Sequence, residues 1–112
     1  MSYEIRFTEE AKDELIDITE YIARDSLPKA QSYVSSLVEK YTTVLSTFPE
    51  SGREYKNGIR QISFKGYTAF YSFDENLATV FILHIIDLTK PLDERGNILM
   101  DNGQVQASRV AK

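Results

Sequence analysis

The chain contains one histidine, His84, which is the side chain best suited to exchange protons near neutral pH. Two arginines that precede it, Arg53 and Arg60, could stabilise the negative charge that develops when a phosphodiester is cleaved. A general acid or base beside such arginines is what a nuclease without a metal requires. His84 also lies in the apolar run 80–86, where the alternative is a structural histidine at the surface of a sheet. The residues alone leave both interpretations open.

Basic residues are concentrated between positions 51 and 66, where they outnumber acidic residues by four to one, although the whole chain has a net charge of −4. The four are Arg53, Lys56, Arg60 and Lys65. They are candidate contacts for a target, or else solvated charges that discourage pairing at a sheet edge. Because the rest of the chain is acidic, strong direct binding to DNA through the overall field of the protein is not expected.

Acidic residues dominate the outer face of the first predicted helix, where only Lys12 and Arg24 offset them. The acidic residues of this face are Glu10, Asp13, Glu14, Asp17 and Glu20. Such a concentration of one sign is either an ordinary solvated face or a surface for a basic partner. For a basic partner, the candidate contacts are Asp13, Asp17 and Glu20.

Composition excludes several kinds of site. The 112 residues include no cysteine and one histidine, which rules out disulfides, thiolate metal sites and multi-histidine metal sites. No phosphate-cradling glycine loop or carboxylate cluster with metal spacing is present, so neither a cofactor nor a metal is expected. The N-terminus does not resemble a secretory signal, and the longest apolar run is too short to span a bilayer. We therefore expect a cytoplasmic protein with no membrane partner.

Two segments have the spacing of one-sided helices. The apolar positions of residues 8–24 and 26–48 are Ala11, Leu15, Ile18 and Ile22 in the first, and Ala30, Val34, Leu37, Tyr41, Val44 and Phe48 in the second. Thr8 and Ser26 are suited to cap these helices. Pro28 suits the first turn of the second helix, and the Pro49 that follows Phe48 ends it. The pattern predicts a two-helix hairpin.

Elsewhere the pattern changes to the alternation of β-strands, which are expected at residues 3–7, 59–65, 67–74 and 77–87. Residues 50–58 are expected to form a loop because they are polar and contain two glycines. The last strand is apolar on both faces and should be central in the sheet. Regular alternation in this strand places His84 on the face opposite Phe81.

These elements predict an α+β fold of order β-α-α-β-β-β, in which a two-helix hairpin packs on a small, mainly antiparallel sheet. One core of this size suits a chain of this length. We expect residues 1–88 to form the domain. Residues 89–112 form a C-terminal extension for which the sequence predicts no definite structure.

Six short segments between residues 3 and 88 resemble those of a known protein family. In order they are YEIRFTEEA at 3–11, LIDITEYIA at 15–23, FPESGR at 48–53, GIR at 58–60, GYTAFY at 66–71 and VFILH at 80–84. Together they resemble the RelE/ParE toxins of type II toxin–antitoxin modules. The resemblance implies a RelE-like fold and a small bacterial toxin that is neutralised by the flexible C-terminal segment of a cognate antitoxin. A dimer, or a hetero-oligomer with the antitoxin, is also expected.

Several positions of this chain can be compared with residues that distinguish the RelE branch from the ParE branch. In RelE-like ribosome-dependent mRNA endonucleases a catalytic arginine follows the Gly-Tyr pair, where this chain has Thr68. Another arginine and a tyrosine usually stand near the end of the last strand, where this chain has IIDL at 85–88. Losing fixed positive charge at a phosphodiester should slow cleavage by orders of magnitude. The Gly52-Arg53 loop and the end of VFILH look more like ParE, whose members are thought to inhibit DNA gyrase by binding.

The sequence therefore predicts a ParE-like toxin that acts by binding a cellular protein, with DNA gyrase as the candidate target. The first alternative is a metal-independent, ribosome-dependent mRNA endonuclease of RelE type that uses Arg53, Arg60 and His84. The second alternative is a non-toxic protein that keeps only its antitoxin-binding groove.

Overall fold

A computed structural model describes residues 2–87 and the backbone of two further short strands. The elements of the described domain are β1 (Glu4–Phe7), α1 (Glu9–Ala23), α2 (Leu27–Thr47), β2 (Arg53–Lys56), β3 (Ile59–Phe64), β4 (Tyr67–Asp74) and β5 (Thr79–Asp87). The further strands, β6 (Ile98–Leu99) and β7 (Val105–Gln106), pair antiparallel with each other in a separate sheet. Apart from these two strands, the predicted C-terminal extension lies outside the described residues.

The five strands of the domain form one sheet in the order β1-β5-β4-β3-β2. β1 pairs parallel with β5, and the other neighbours pair antiparallel. β5 lies between β1 and β4, which confirms the prediction that the strand apolar on both faces is central. Two helices on a mixed sheet confirm the predicted α+β class.

Both helices begin where their capping residues predict. The Thr8 hydroxyl accepts a hydrogen bond from the N–H of Ala11 at 3.2 Å, and the Ser26 hydroxyl accepts one from the N–H of Lys29 at 3.3 Å. These contacts satisfy N–H groups that the first turn of a helix leaves without a partner. Within the described residues, neither helix combines the length and the apolar composition that crossing a bilayer requires.

The core lies between the helix pair and one face of the sheet, which we call the helix face. Its buried residues are Ala11 and Ile18 of α1, Leu37, Tyr41 and Leu45 of α2, Tyr67, Ala69 and Tyr71 of β4, and Val80, Ile82 and Ile85 of β5. The predicted helical stripe is wrong at Phe48, whose surface is 65% exposed. Phe48 caps the end of α2 in a non-helical conformation, so it no longer points along the buried face.

The predicted loop at residues 50–58 contains the edge strand β2, which corrects the expected element order to β-α-α-β-β-β-β. Asn57 and Gly58 form the turn between β2 and β3, and both have positive φ angles, of 50° and 79°. An Asn-Gly pair is a strong sequence signal for a two-residue hairpin turn, because both residues tolerate this conformation. The sequence therefore contained a signal for this hairpin. The prediction of a loop counted the glycines and did not use the Asn-Gly pair.

A bulge in β5 changes which side chains share a face. His84 pairs with Phe70 and Ile82 pairs with Tyr71, so Leu83 between them is the extra residue. Regular alternation predicted that His84 and Phe81 face opposite ways, and this is wrong because the extra residue shifts the alternation by one. Ile85 is thereby directed to the helix face, where it is buried.

Candidate functional site

The edge strand β2 carries two of the four basic residues predicted to contact a target. Arg53, Lys56 and the intervening Tyr55 are exposed. The Tyr55 ring packs edge-on against Phe70, with centroids 5.1 Å apart, and the Lys56 ammonium lies 5.4 Å from the centroid of the Tyr55 ring. A register shift at Tyr55 interrupts the pairing of β2 with β3. These residues form a cationic ridge with an aromatic base, which we call the β2 ridge.

Arg60 lies on the neighbouring strand but is engaged within the protein. Its Nη1 donates to the carbonyl oxygen of Gly52 at 2.8 Å and to that of Glu50 at 3.3 Å. Arg60 stands opposite Tyr71 in the β3–β4 pair and therefore lies on the helix face. The guanidinium thus binds the turn that precedes β2.

Lys65 lies in the β3–β4 turn, at the end of β3 far from the Asn57-Gly58 turn. Its Nζ donates to the hydroxyl of Ser36 on α2 at 3.1 Å, and it lies 5.0 Å and 5.5 Å from the ring centroids of Tyr33 and Phe64. The Tyr33 hydroxyl donates in turn to the Lys65 carbonyl. The four basic residues that are close in sequence are therefore divided between separate places.

His84 is paired with a buried carboxylate that the sequence did not identify. Its Nδ1 lies 3.3 Å from Oε2 of Glu14, and Oε1 of Glu14 accepts a hydrogen bond from the N–H of Ile85 at 2.9 Å. The Glu14 side chain is 5% exposed and that of His84 is 25% exposed. The hydrogen bond to Glu14 raises the pKa of His84, and partial burial opposes this effect.

Glu14 lies where β1 stops covering the edge of β5. β1 ends at Phe7, and the polypeptide then enters α1. Beyond that point Thr8 donates from its hydroxyl to the carbonyl of Leu83 at 2.9 Å, and Glu14 accepts from the N–H of Ile85. α1 therefore supplies the hydrogen bonds that a continued β1 would have made.

The prediction that Glu14 belongs to the outer acidic face of α1 is wrong, because Glu14 is buried. A signal for this placement existed: Glu14 lies three residues after Ala11 and four before Ile18, which are both in the core. A carboxylate at that spacing requires a buried donor, and no local pattern indicated one.

Other acidic residues of α1 do face outward. Asp13 and Glu20 are exposed, and Asp17 is half-buried. Glu9 and Glu10 occupy the first turn, where Glu9 also accepts from the Nζ of Lys12 at 3.3 Å. Negative charge therefore extends along the outer side of α1.

The residues predicted for metal-free RNA cleavage are not assembled around one point. On the sheet face away from the helices, Arg53, Gln61, Phe70 and His84 are successive cross-strand neighbours. Two strands separate Arg53 from His84, which places their backbones roughly 14 Å apart at about 4.8 Å per strand. Arg60 lies on the opposite face. Within residues 2–87 and the two short strands, no group of three metal-ligating side chains is brought together.

Thr68, which the sequence resemblance aligned with the catalytic arginine of RelE-like enzymes, is buried. Its hydroxyl shares a 2.7 Å hydrogen bond with the hydroxyl of Ser63 on β3. The position is therefore occupied by a neutral cross-strand contact instead of a cation.

Comparison with known proteins identifies a family and a fold. Residues 5–87 match the family model described as "ParE toxin of type II toxin-antitoxin system, parDE". A search of the curated proteins found no significant match. Among solved structures, the chain is similar to the chromosomal ParDE toxin–antitoxin system from P. aeruginosa, with 21% identity and a TM-score of 0.66 over 77% of this chain and 96% of the other.

Two RelBE complexes have a similar fold. For the toxin–antitoxin complex RelBE2 from Mycobacterium tuberculosis, the identity is 23% and the TM-score 0.60, over 78% of this chain and 99% of the other. For the intact RelBE complex from E. coli, the identity is 20% and the TM-score 0.54, over 75% and 94% of the two chains. These similarities support the RelE-like fold, and the family match supports the predicted ParE branch. Because that match extends over most of its length, the chain belongs to the ParE toxin family of type II toxin–antitoxin systems.

Proposed function

We propose that this ParE-family protein inhibits growth by binding a cellular protein, with DNA gyrase as the target, and that a cognate antitoxin neutralises it. The observation that carries the proposal is the β2 ridge, where Arg53, Tyr55 and Lys56 are exposed together on an edge strand. Arginine and tyrosine are the residue types that most often dominate the energetics of protein interfaces. The ridge therefore suits an acidic surface on a protein target.

Two local features restrict the conformation of the ridge. Phe70 supports the Tyr55 ring from below, and the Asn57-Gly58 turn fixes the end of the strand. The register shift at Tyr55 and the two cations also disfavour simple addition of a further strand at this edge. We therefore expect side chains, more than backbone hydrogen bonds, to contact the target.

The test is inhibition of purified DNA gyrase by the full-length protein in a supercoiling assay. The double variant Arg53→Ala with Lys56→Ala should need roughly tenfold or more additional protein for the same inhibition, because two interface cations are lost. Lys29→Ala, which removes an exposed cation from the start of α2, is the matched control and should behave as wild type. Growth arrest by a protein that leaves gyrase unaffected would refute this target.

RNA cleavage receives less support from the site. Arg60 is committed to two backbone carbonyls, and His84 is directed toward Glu14 instead of toward Arg53. Primer extension on translated mRNA after induction distinguishes this alternative, because a ribosome-dependent endonuclease leaves new 5′ ends. The non-toxic alternative predicts neither growth arrest nor new 5′ ends on induction, with antitoxin binding intact.

For the antitoxin we propose a basic, amphipathic segment that contacts the outer side of α1. The structural relatives are toxin–antitoxin complexes, which supports an antitoxin partner for this chain. Asp13 and Glu20 are exposed on α1, with Asp17 half-buried between them. A disordered segment that folds along this helix would bring its cations to these carboxylates.

A further inference from the structure

The turn that precedes the β2 ridge is hydrogen-bonded to a core residue of the sheet. The Tyr71 hydroxyl, which belongs to a fully buried side chain, donates to the carbonyl of Pro49 at 2.8 Å. The same hydroxyl accepts from the N–H of Gly52 at 2.8 Å. One phenol of the core therefore fixes both ends of the four-residue turn 49–52.

Arg60 fixes the same turn from the neighbouring strand. Its guanidinium donates to the carbonyls of Gly52 and Glu50. The N–H of Gly52 is therefore bound by Tyr71, and the C=O of Gly52 by Arg60. Arg60 and Tyr71 are directly paired in the β3–β4 ladder, which places their polar groups side by side on the helix face. Charge-assisted hydrogen bonds of this kind are among the stronger ones in proteins.

Gly52 allows this close approach because it has no side chain. A Cβ atom at this position would lie 2.5 Å from the Tyr71 hydroxyl and 2.7 Å from the Gln61 carbonyl oxygen. Gly52 is directly followed by Arg53, the first residue of β2. The contacts that hold Gly52 therefore also determine where Arg53 leaves the sheet edge.

We propose that Arg60 and Tyr71 are positioning residues for the target-binding surface: they hold the turn 49–52 and thereby orient Arg53, while Arg60 itself makes no contact with the target. This inference rests on the proposed function of the β2 ridge. It assigns different roles to two arginines that are equivalent by composition and lie only seven positions apart in the sequence.

A double-mutant cycle in the full chain tests the inference. The readout is the amount of protein needed for growth arrest, which does not presuppose the identity of the target. Arg53→Ala and Arg60→Gln should each raise this amount roughly tenfold. The first removes the side chain proposed to contact the target, and the second removes the hydrogen bonds that hold the turn before it. If Arg60 acts through Arg53, adding Arg60→Gln to Arg53→Ala should change it by less than about twofold. Additive effects would show that Arg60 contacts the target directly and would overturn the proposal.

Two further variants ensure that the test does not depend on Arg60→Gln alone. Tyr71→Phe keeps the buried ring and removes only the hydroxyl, so it should reduce growth arrest in the same direction as Arg60→Gln. Arg60→Lys keeps the charge and one donor group, and it should restore part of the loss. Lys29→Gln is the control for the removal of a cation and should leave growth arrest unchanged. Full activity of Tyr71→Phe would contradict the inference.

A structural readout separates this inference from the proposed function. Hydrogen exchange of the Gly52 amide should become faster in Arg60→Gln and Tyr71→Phe, and that of core amides in β4 should not. Suppose that Arg53→Ala keeps full activity while the Gly52 amide exchanges faster in Arg60→Gln and Tyr71→Phe. The proposed function of the ridge would then be wrong, and the role of Arg60 and Tyr71 in holding the turn would still be supported. Unchanged exchange at Gly52 in both variants would overturn the attachment itself.

Discussion

At the scale of single residues, the pairing of His84 with Glu14 joins α1 to the central strand. Glu14 accepts hydrogen bonds from a backbone N–H and lies beside an imidazole nitrogen, so both of its oxygens have partners. A buried carboxylate requires such partners, since an unpaired one would be costly to desolvate. The pairing fits the structural interpretation of His84, and Glu14 is a partner that the sequence around His84 did not indicate.

The raised pKa of His84 makes a prediction about stability and pH. A group whose pKa is higher in the folded state stabilises that state when it is protonated. The contribution is complete below the ordinary value of 6.5 and disappears as pH rises through the folded-state pKa. The stability difference between wild type and His84→Gln, from urea unfolding, should therefore be larger at about pH 5.5 than at about pH 9.

Glu14→Gln is the matched control for this experiment. It removes the charge and keeps an amide oxygen for the N–H of Ile85, so the protein should remain folded. The excess stability at low pH should be lost, because the effects that remain on the pKa of His84 are burial, which lowers it, and the charge of Glu10, which raises it less. A stability difference that does not vary with pH would show that the pair carries no linkage.

His84→Gln also separates a structural histidine from a catalytic one. We expect the variant to keep growth inhibition and antitoxin binding, because glutamine retains hydrogen-bonding capacity and the proposed mechanism transfers no proton. A general base would instead lose activity by roughly a hundredfold or more on this change. Growth assays with the folded variant decide between these roles, and loss of inhibition alone would favour the RNase alternative.

At the scale of elements, the two sides of α1 perform different tasks. Its inner side contributes Ala11 and Ile18 to the core and Glu14 to the edge of β5. Its outer side carries Asp13 and Glu20 in solvent. Helical periodicity separates these tasks, because positions three or four apart share a face.

Charge reversal on α1 tests its proposed role in antitoxin binding. Asp13→Lys combined with Glu20→Lys should slow association with the antitoxin, and the difference should shrink at high salt because electrostatic steering is screened. Surface plasmon resonance at low and high salt provides the measurement. Glu75→Lys, a single charge reversal at an exposed position in the β4–β5 turn, should leave the on-rate nearly unchanged. An unaltered on-rate in the double variant would exclude this surface.

The two glycines that flank β2 provide a second prediction for this hairpin. Gly58 has a φ angle of +79° and open space around its Cα, so Gly58→Ala should cost only the backbone strain, about 1 kcal/mol. Gly52→Ala must also displace the Tyr71 hydroxyl or the Gln61 carbonyl, and should destabilise the fold by more. Urea unfolding of both variants compares these costs. Equal costs would mean that the turn 49–52 moves aside easily.

At the scale of the whole molecule, the described domain contains its own core. Among residues 2–87, the central cluster extends from Ala11 to Ile85, and the family match ends at residue 87. We therefore predict that a protein truncated after residue 88 still unfolds cooperatively and binds its antitoxin, as circular dichroism and a binding assay would report. Loss of cooperative unfolding would assign the extension 89–112 to the folding unit.

The sequence by itself determined the features of this protein that depend on residues close together in the chain. The helices follow from the spacing of residues such as Leu37 and Tyr41, and their starts follow from Thr8 and Ser26, because these signals act within one or two turns. Except for β2, the order of the elements up to β5 was also predicted from the sequence, as was the resemblance to RelE/ParE toxins. Even the missed strand β2 had its signal in Asn57-Gly58, where the turn chemistry is local.

Contacts between distant segments were decided only by the tertiary structure. Glu14 and His84 are 70 positions apart, and their pairing depends on β1 ending where the edge of β5 continues. Arg53 and Arg60 look alike in the sequence, yet one is exposed on an edge and the other binds a turn. A charged side chain is placed inward or outward by the partners it meets in space, and spacing along the chain does not specify those partners.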